Sequence, residues 1–268
     1  MQPMIRVLGP LEIGPTNDPA RPSRRLDETT VTVLATARGR AAAVGDLIEA
    51  AFGEQPPLTA TKQIQNAVSR LRAALSGVGA GVSYSAGRYY LDGPVGITDW
   101  DQFSLHLEAA RAAGRVSDID RAGEHYRQAR ILWRQNGIGG ADTLHMENLR
   151  SHLIAQRISV LVESAELLLA TERLDIDVDL VPEVALAARC DPTNEALVSC
   201  AMRLLTRAGH RHRAIEQYRL CQRRLDAELG ISPHVRLEST YLQIIGASGE
   251  DLRRFRADPG VELYGRGA

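Results

Sequence analysis

Lysine is nearly absent from this 268-residue chain: Lys62 is the only one, and arginine supplies the rest of the basic side chains. Cysteine is almost as scarce, and Cys190, Cys200 and Cys221 are widely spaced, odd in number and set on apolar helical faces. That pattern favours buried reduced thiols over bridges or metal ligands, and with it a cytoplasmic chain. No apolar run is long enough to cross a bilayer and no secretory leader is recognisable, so no membrane partner is expected. The phosphate-loop pattern Gly-x-x-x-x-Gly-Lys-Ser/Thr is missing, which removes the expectation of ATPase activity. His106, His125, His145, His152, His210, His212 and His234 show no metal-ligand spacing with acidic neighbours; His210-Arg211-His212 comes nearest, at a helix start where capping or exposure accounts for it. The expectation is no catalytic residue, no cofactor and no metal, and therefore not an enzyme.

Acid is missing from one stretch in particular. Between Leu58 and Leu91 there are Lys62, Arg70, Arg72 and Arg88 and not one Asp or Glu, in a chain of formal net charge -1. The chain as a whole is not polycationic, so a nucleic-acid-facing surface is confined to this region. Pro56-Pro57-Leu58-Thr59 predicts a helix from Ala60 to about Leu75, with Thr59 as its cap, and Gly77, Gly79 and Gly81 end it. At about 100° per residue Ile64, Val68, Leu71 and Leu75 form one apolar stripe. Thr59, Lys62, Asn66, Ser69 and Arg70 project from the opposite side, joined obliquely by Gln63. These groups can pair with base edges or hold phosphates, while a plain solvated face is the bland alternative.

The flanks give that helix a context. Val44 to Gly53 reads as a short amphipathic helix closed by glycine, one loop before the first, which is the outline of a helix-turn-helix. Val82-Ser83-Tyr84 and Tyr89-Tyr90-Leu91 read as a hairpin wing, with Arg88 beside its tip and over the backbone or minor groove. Ile5 to Ile13 alternates, breaks at Gly9-Pro10 and resumes, which predicts a small sheet ahead of the helices. A helix from about Leu26 to Thr36 completes the set, although Glu28, Thr29, Thr30 and Thr32 make it a poor one on propensity.

From Thr98 onward the pattern is helical, with segments near 99–113, 117–133, 143–172, 178–190, 193–208, 211–229 and 234–246. Ala122, Tyr126 and Ala129 share their spacing with Ala214, Tyr218 and Cys221, a faint repeat of the kind that lets helix pairs stack. An ordinary helical bundle is the alternative. The fold class is therefore mainly α: a winged helix-turn-helix (α+β) over 1–97, an all-α tetratricopeptide-like domain over 98–246, and a tail over 247–268 expected to be largely disordered.

Leu8-Gly9-Pro10-Leu11-Glu12, Pro56-Pro57 before Thr59-Ala60, Val68 to Leu75, Leu132-Trp133-Arg134, Ala214 to Tyr218 and Leu225 to Pro233 together resemble the Streptomyces antibiotic regulatory protein family. The resemblance covers about residues 4–246. It implies a response-regulator-type winged helix joined to a bacterial transcriptional activation domain, acting on the promoters of a biosynthetic gene cluster. The implied partners are double-stranded DNA with direct repeats, bound by side-by-side protomers, and RNA polymerase with its sigma factor, at the nucleoid. Carried over, Ala60 to Leu75 becomes the recognition helix, with Lys62, Gln63, Asn66 and Arg70 in the groove and Thr59 and Thr61 on phosphates. Arg72 suits a phosphate or an internal ion pair. Glu54 and Gln55 fall in the loop that touches polymerase in related winged helices, or in a plain connector. Two departures stand out. The helix at Leu26 to Thr36 lacks the family's Arg-Gln and aliphatic run, and Gln135-Asn136-Gly137 replaces Gly-Pro after the Trp-Arg pair. A different class remains open, a helical-repeat protein that binds a peptide or small effector and uses its winged helix to dock protein.

Overall fold

The chain's first alternating segment folds back at Gly9-Pro10, so that β1 (Ile5–Arg6) pairs antiparallel with β2 (Glu12–Ile13) in the register Ile5 to Ile13. The computed structural model describes residues 4–134, 137–171 and 179–246. The expected disordered tail lies outside them.

Helix α1 (Arg25–Thr36) forms despite its threonines. The hydroxyls of Thr29, Thr30 and Thr36 donate to the carbonyls of Arg25, Leu26 and Thr32 at 2.8, 2.7 and 2.8 Å, and Thr29, Thr30 and Thr32 are buried. Local propensity is overridden because these hydroxyls find acceptors within the helix while tertiary packing buries Thr29 and Thr30. Helix α2 (Val44–Phe52) begins where the Asp46 carboxylate accepts from the Ala43 N–H at 3.0 Å, and it ends at Gly53. Helix α3 (Ala60–Ser76) follows. Thr59 occupies its N-cap but makes no side-chain cap bond, and its hydroxyl instead accepts from Gln63 Nε2 at 3.0 Å.

The wing is a three-stranded sheet in the order β3-β5-β4, made of β3 (Ala41–Ala43), β4 (Gly81–Ser85) and β5 (Arg88–Asp92). Ala86 and Gly87, both at positive φ, make the two-residue turn between β4 and β5. Three successive alanines carry no strand signal, so β3 is legible only once β5 is there to pair with it. Ile64, Val68, Leu71 and Leu75 of α3 join Leu34, Leu47, Val82, Leu91 and Ile97 in one core. Each side chain removed from water contributes about 1.5–3 kcal/mol.

Two compact units divide the chain, Met1–Val160 and Leu161–Ala268. The first contains the winged helix together with α4 (Asp99–Arg115), α5 (Ile119–Ile131) and the beginning of α6 (Leu144–Ala170). Helices α4 and α5 pack closely, with Ala110 and Ala113 of the one and Ala122 and Ala129 of the other buried, and Phe103 stacked on Trp100 at 5.3 Å and edge-on to Trp133 at 5.8 Å. Thr98 and Asp118 cap the two helices through the N–H groups of Asp101 and Arg121.

The second unit holds the end of α6 with α7 (Leu180–Cys190), α8 (Glu195–Arg207), α9 (Arg211–Leu229) and α10 (Val235–Ile245). Ala214, Tyr218 and Cys221 are buried on α9, as Ala122, Tyr126 and Ala129 are on α5, so the repeated spacing marks the packing face of both helices. Tyr218 stacks on Tyr241 with ring centroids 4.1 Å apart. Cys200 and Cys221 are buried, and burial pushes both thiols up to about 11. Cys190 departs from expectation: it closes α7 on the exposed side. Among the described residues no helix is long and apolar enough to cross a membrane.

Candidate nucleic-acid interface

Helix α3 presents an outward ridge of Lys62, Asn66, Ser69 and Ala73, all exposed, directly opposite the buried stripe. Thr59 and Thr61 are exposed at its start, and Gln63 is half-buried on the flank. Gln65 stands exposed beside the ridge and escaped the sequence reading, although its spacing of three from Lys62 puts it on a neighbouring row.

The two arginines of α3 are held by the scaffold on opposite flanks. Arg70 Nε donates to Asp27 Oδ2 at 2.8 Å and its Nη2 bonds the other carboxylate oxygen, so the pair is bidentate. Asp27 is buried in the first turn of α1, and its hydrogen bonds raise the Arg70 pKa above the usual guanidinium value. On the other flank Arg72 Nε donates to the Val82 carbonyl of the wing at 2.7 Å. The partner of Arg72 is a backbone oxygen, not a carboxylate. Arg88 opens β5, exposed and paired in register with Ser85 next to the turn. Tyr84 leans on Tyr89 with centroids 4.9 Å apart while remaining half exposed.

The loop between α2 and α3 is open to solvent from Glu54 to Thr59, with Glu54 and Gln55 unscreened. Its Leu58 is fully exposed, an apolar knob that polarity-based reading passes over.

Two motifs far apart in sequence meet behind the winged helix. Arg134 N donates to the Leu8 carbonyl at 2.9 Å, its Nη2 donates to the Pro10 carbonyl at 2.8 Å, and its Nη1 pairs with Glu12 at 2.8 Å. Gly9 (φ 147°) lies against this side chain; a Cβ there would stand 3.0 Å from Arg134 Cβ. Arg21, then Arg6 and Arg134, hold the Glu12 carboxyl below its ordinary value. Nearby the buried Asp99 carboxylate accepts from the N–H groups of Val7 and Leu8 at 2.8 and 2.9 Å. Burial pushes Asp99 up to about 6 against the pull of those N–H groups and of Arg134.

A strap between α5 and α6 makes the second attachment. The Ala141 N–H donates to Thr29 Oγ1 at 2.8 Å, Arg25 Nε donates to the Gly140 carbonyl at 2.9 Å, and Arg25 also pairs with Asp142. Arg150 gathers the carbonyls of Ile138, Gly140 and Ala141 at 2.9, 3.1 and 2.9 Å. Thr143 Oγ1 donates to the Ala50 carbonyl at 2.8 Å. Helices α1 and α2 of the winged helix are thereby tied to the start of α6.

A winged helix-turn-helix followed in the chain by tetratricopeptide-like helix pairs is the class of fold, and comparison with known proteins identifies the family. Residues 98–245 match the bacterial transcriptional activator domain, so the chain belongs to that family. It is 28% identical to the regulatory protein DnrI of Streptomyces peucetius over 97% of this chain and 95% of DnrI. It is 26% identical to the transcriptional regulator RedD of Streptomyces coelicolor, covering 90% of this chain and 70% of RedD. Against the regulatory protein AfsR of Streptomyces coelicolor the identity is 29% over 90% of this chain, which spans 24% of AfsR. The fold is that of Mycobacterium tuberculosis EmbR, solved in complex with a low affinity phosphopeptide: TM-score 0.72 at 22% identity, covering 94% of this chain and 68% of that one. The chain is a regulator of the Streptomyces antibiotic regulatory type.

Proposed function

We propose that the chain is a sequence-specific DNA-binding activator of a secondary-metabolite gene cluster, that residues 1–97 bind direct repeats near promoters, and that residues 98–246 help recruit RNA polymerase with its sigma factor. The observation that carries this reading is the exposed ridge Lys62-Asn66-Ser69 on an acid-free helix, backed by a buried apolar stripe and flanked by a wing bearing Arg88. Asn can accept and donate at an adenine edge, Lys can reach guanine acceptors, and Thr59, Thr61 and Arg88 suit phosphates. Arg70 and Arg72 serve this surface indirectly, by fixing α3 to α1 and to the wing. Glu54, Gln55 and the exposed Leu58 form the loop proposed to meet polymerase. Side-by-side protomers on direct repeats gain from effective concentration, and contact with polymerase adds a tether, so activation needs no chemistry within this chain.

The test is genome-wide mapping of sites bound by the tagged protein in its host, followed by titration of the best site at several salt concentrations. Direct repeats beside promoters, with affinity falling steeply as salt rises, are expected. Absence of any enriched site would move the search to protein partners of the helical array.

A further inference from the structure

One row of α4, made of Asp101, Ser104, Leu105 and Glu108, borders a cavity of about 450 Å³ whose far wall is the end of α1 and the turn Arg38-Gly39-Arg40. The row has the i, i+3, i+4, i+7 spacing of a packing stripe, yet Leu105 is 47% exposed, and Val95 at the cavity's edge is 75% exposed. Trp100, backed by Phe103 at 5.3 Å, adds an aromatic wall. We infer that this cavity binds an aromatic small molecule that carries both a hydrogen-bond donor and an acidic group.

The size falls within the range of small-molecule pockets, about 300–1,000 Å³. Val95, Trp100 and Leu105 leave apolar surface in water, and a flat apolar body laid against the indole would cover it. The polar groups fix the rest of the ligand. Asp101 Oδ2 is buried without a hydrogen-bond partner among the described residues, and Arg40 Nη1 stands 3.6 Å away. The Asp101 side chain is still 21% exposed, so a donor within the cavity can meet its outer edge. Arg40 is engaged by the carbonyls of Gly93 and Pro94 at 2.9 and 3.2 Å. Arg38, Ser104 and Glu108 have no side-chain partner among the described residues. Carboxylates only accept and a guanidinium only donates. A molecule that satisfies both ends therefore brings an N–H or O–H to Asp101 or Glu108 and an anionic oxygen to Arg38. Because α1 belongs to the winged helix and α4 opens the helical domain, the bound molecule would touch both.

The experiment is a fluorescence titration of the 268-residue chain at neutral pH with anilinonaphthalene sulfonate, a probe with an aromatic body, one N–H and a sulfonate. It is repeated on Leu105→Glu, Arg38→Ala and Ile154→Glu, each first matched to wild type by far-ultraviolet circular dichroism. Leu105→Glu removes an apolar wall and sets a carboxylate against the sulfonate, and Ile154→Glu makes a like change at a half-exposed side chain of α6 outside the cavity. The expected result is one saturable site per chain, weakened at least about tenfold in Leu105→Glu and about fivefold in Arg38→Ala, and kept within about twofold in Ile154→Glu. No saturable binding to the wild type, undiminished affinity in either cavity variant, or an equal loss in Ile154→Glu would overturn the inference.

Discussion

Arg70 of the proposed recognition helix is clasped by Asp27, a buried carboxylate in the first turn of α1, through two parallel hydrogen bonds. The arginine nearest the proposed reading face is thus paired with the scaffold and ties α3 to α1. Arg70→Ala should lower stability by about 1–2 kcal/mol, allowing for its partial exposure, and should weaken cognate and competitor DNA to a similar degree. Asp27→Asn should release the guanidinium toward phosphate and steepen the salt dependence of DNA binding by about one counterion. Urea unfolding and filter binding across a salt series measure both. A selective loss of cognate affinity in Arg70→Ala would make it a base reader after all.

Asn66 is the clearest case of a side chain with nothing structural to do. It is exposed in the middle of the outward ridge, one turn from Lys62. Asn66→Ala should leave Tm unchanged and reduce discrimination between the best site and competitor DNA by about 1–3 kcal/mol, whereas Lys62→Ala should also flatten the salt slope. Competition binding with labelled promoter fragments gives both numbers, and retained site preference in Asn66→Ala would remove the assigned reading face.

Asp99 gives a pH dependence with a definite sign. Its carboxyl rises from 3.8 to about 6 because burial penalises the charged form more than the Val7 and Leu8 N–H groups favour it. A raised pKa means the folded state binds the proton more tightly than the unfolded state. The resulting stabilisation is fully present below about pH 4 and is lost as pH rises through about 6. Asp99→Asn, which cannot titrate, should therefore give a flatter stability curve than wild type between those limits. Urea midpoints taken across that range check it, and parallel curves would show that Asp99 does not titrate there.

Most of the helical order was legible because apolar spacing and glycine or proline stops agree along α2, α3 and α7 to α10. Strand β3 was not, since Ala41–Ala43 pairs only in the presence of β5. Helix α1 was undervalued because its threonine hydroxyls are satisfied by tertiary burial and back-bonding, which no propensity scale contains. The ridge on α3 could be read from a helical wheel, but the fate of Arg70 depended on where Asp27 would lie, 43 residues earlier.

The contact between Gly9 and Arg134 joins the first sheet to the end of α5, and it offers a way to separate DNA binding from activation. Gly9 has φ 147°, and a Cβ there would stand 3.0 Å from Arg134 Cβ, so Gly9→Ala adds backbone strain and a tight contact, together about 1–3 kcal/mol. Arg134 bridges a carbonyl and a carboxylate with separate nitrogens, an arrangement that a single ammonium cannot reproduce, so Arg134→Lys should also be destabilising. Neither residue lies on the outward ridge of α3. At a temperature where both variants remain folded, promoter affinity should stay within about twofold of wild type, because a shift below about 0.4 kcal/mol is all that a remote change should transmit. Transcription from the same promoter should fall further than affinity, since the helical domain would be less firmly held to the DNA-bound part. Run-off transcription and binding measured on the same fragments decide the matter, and equal losses in both would mean that this contact supports the fold as a whole.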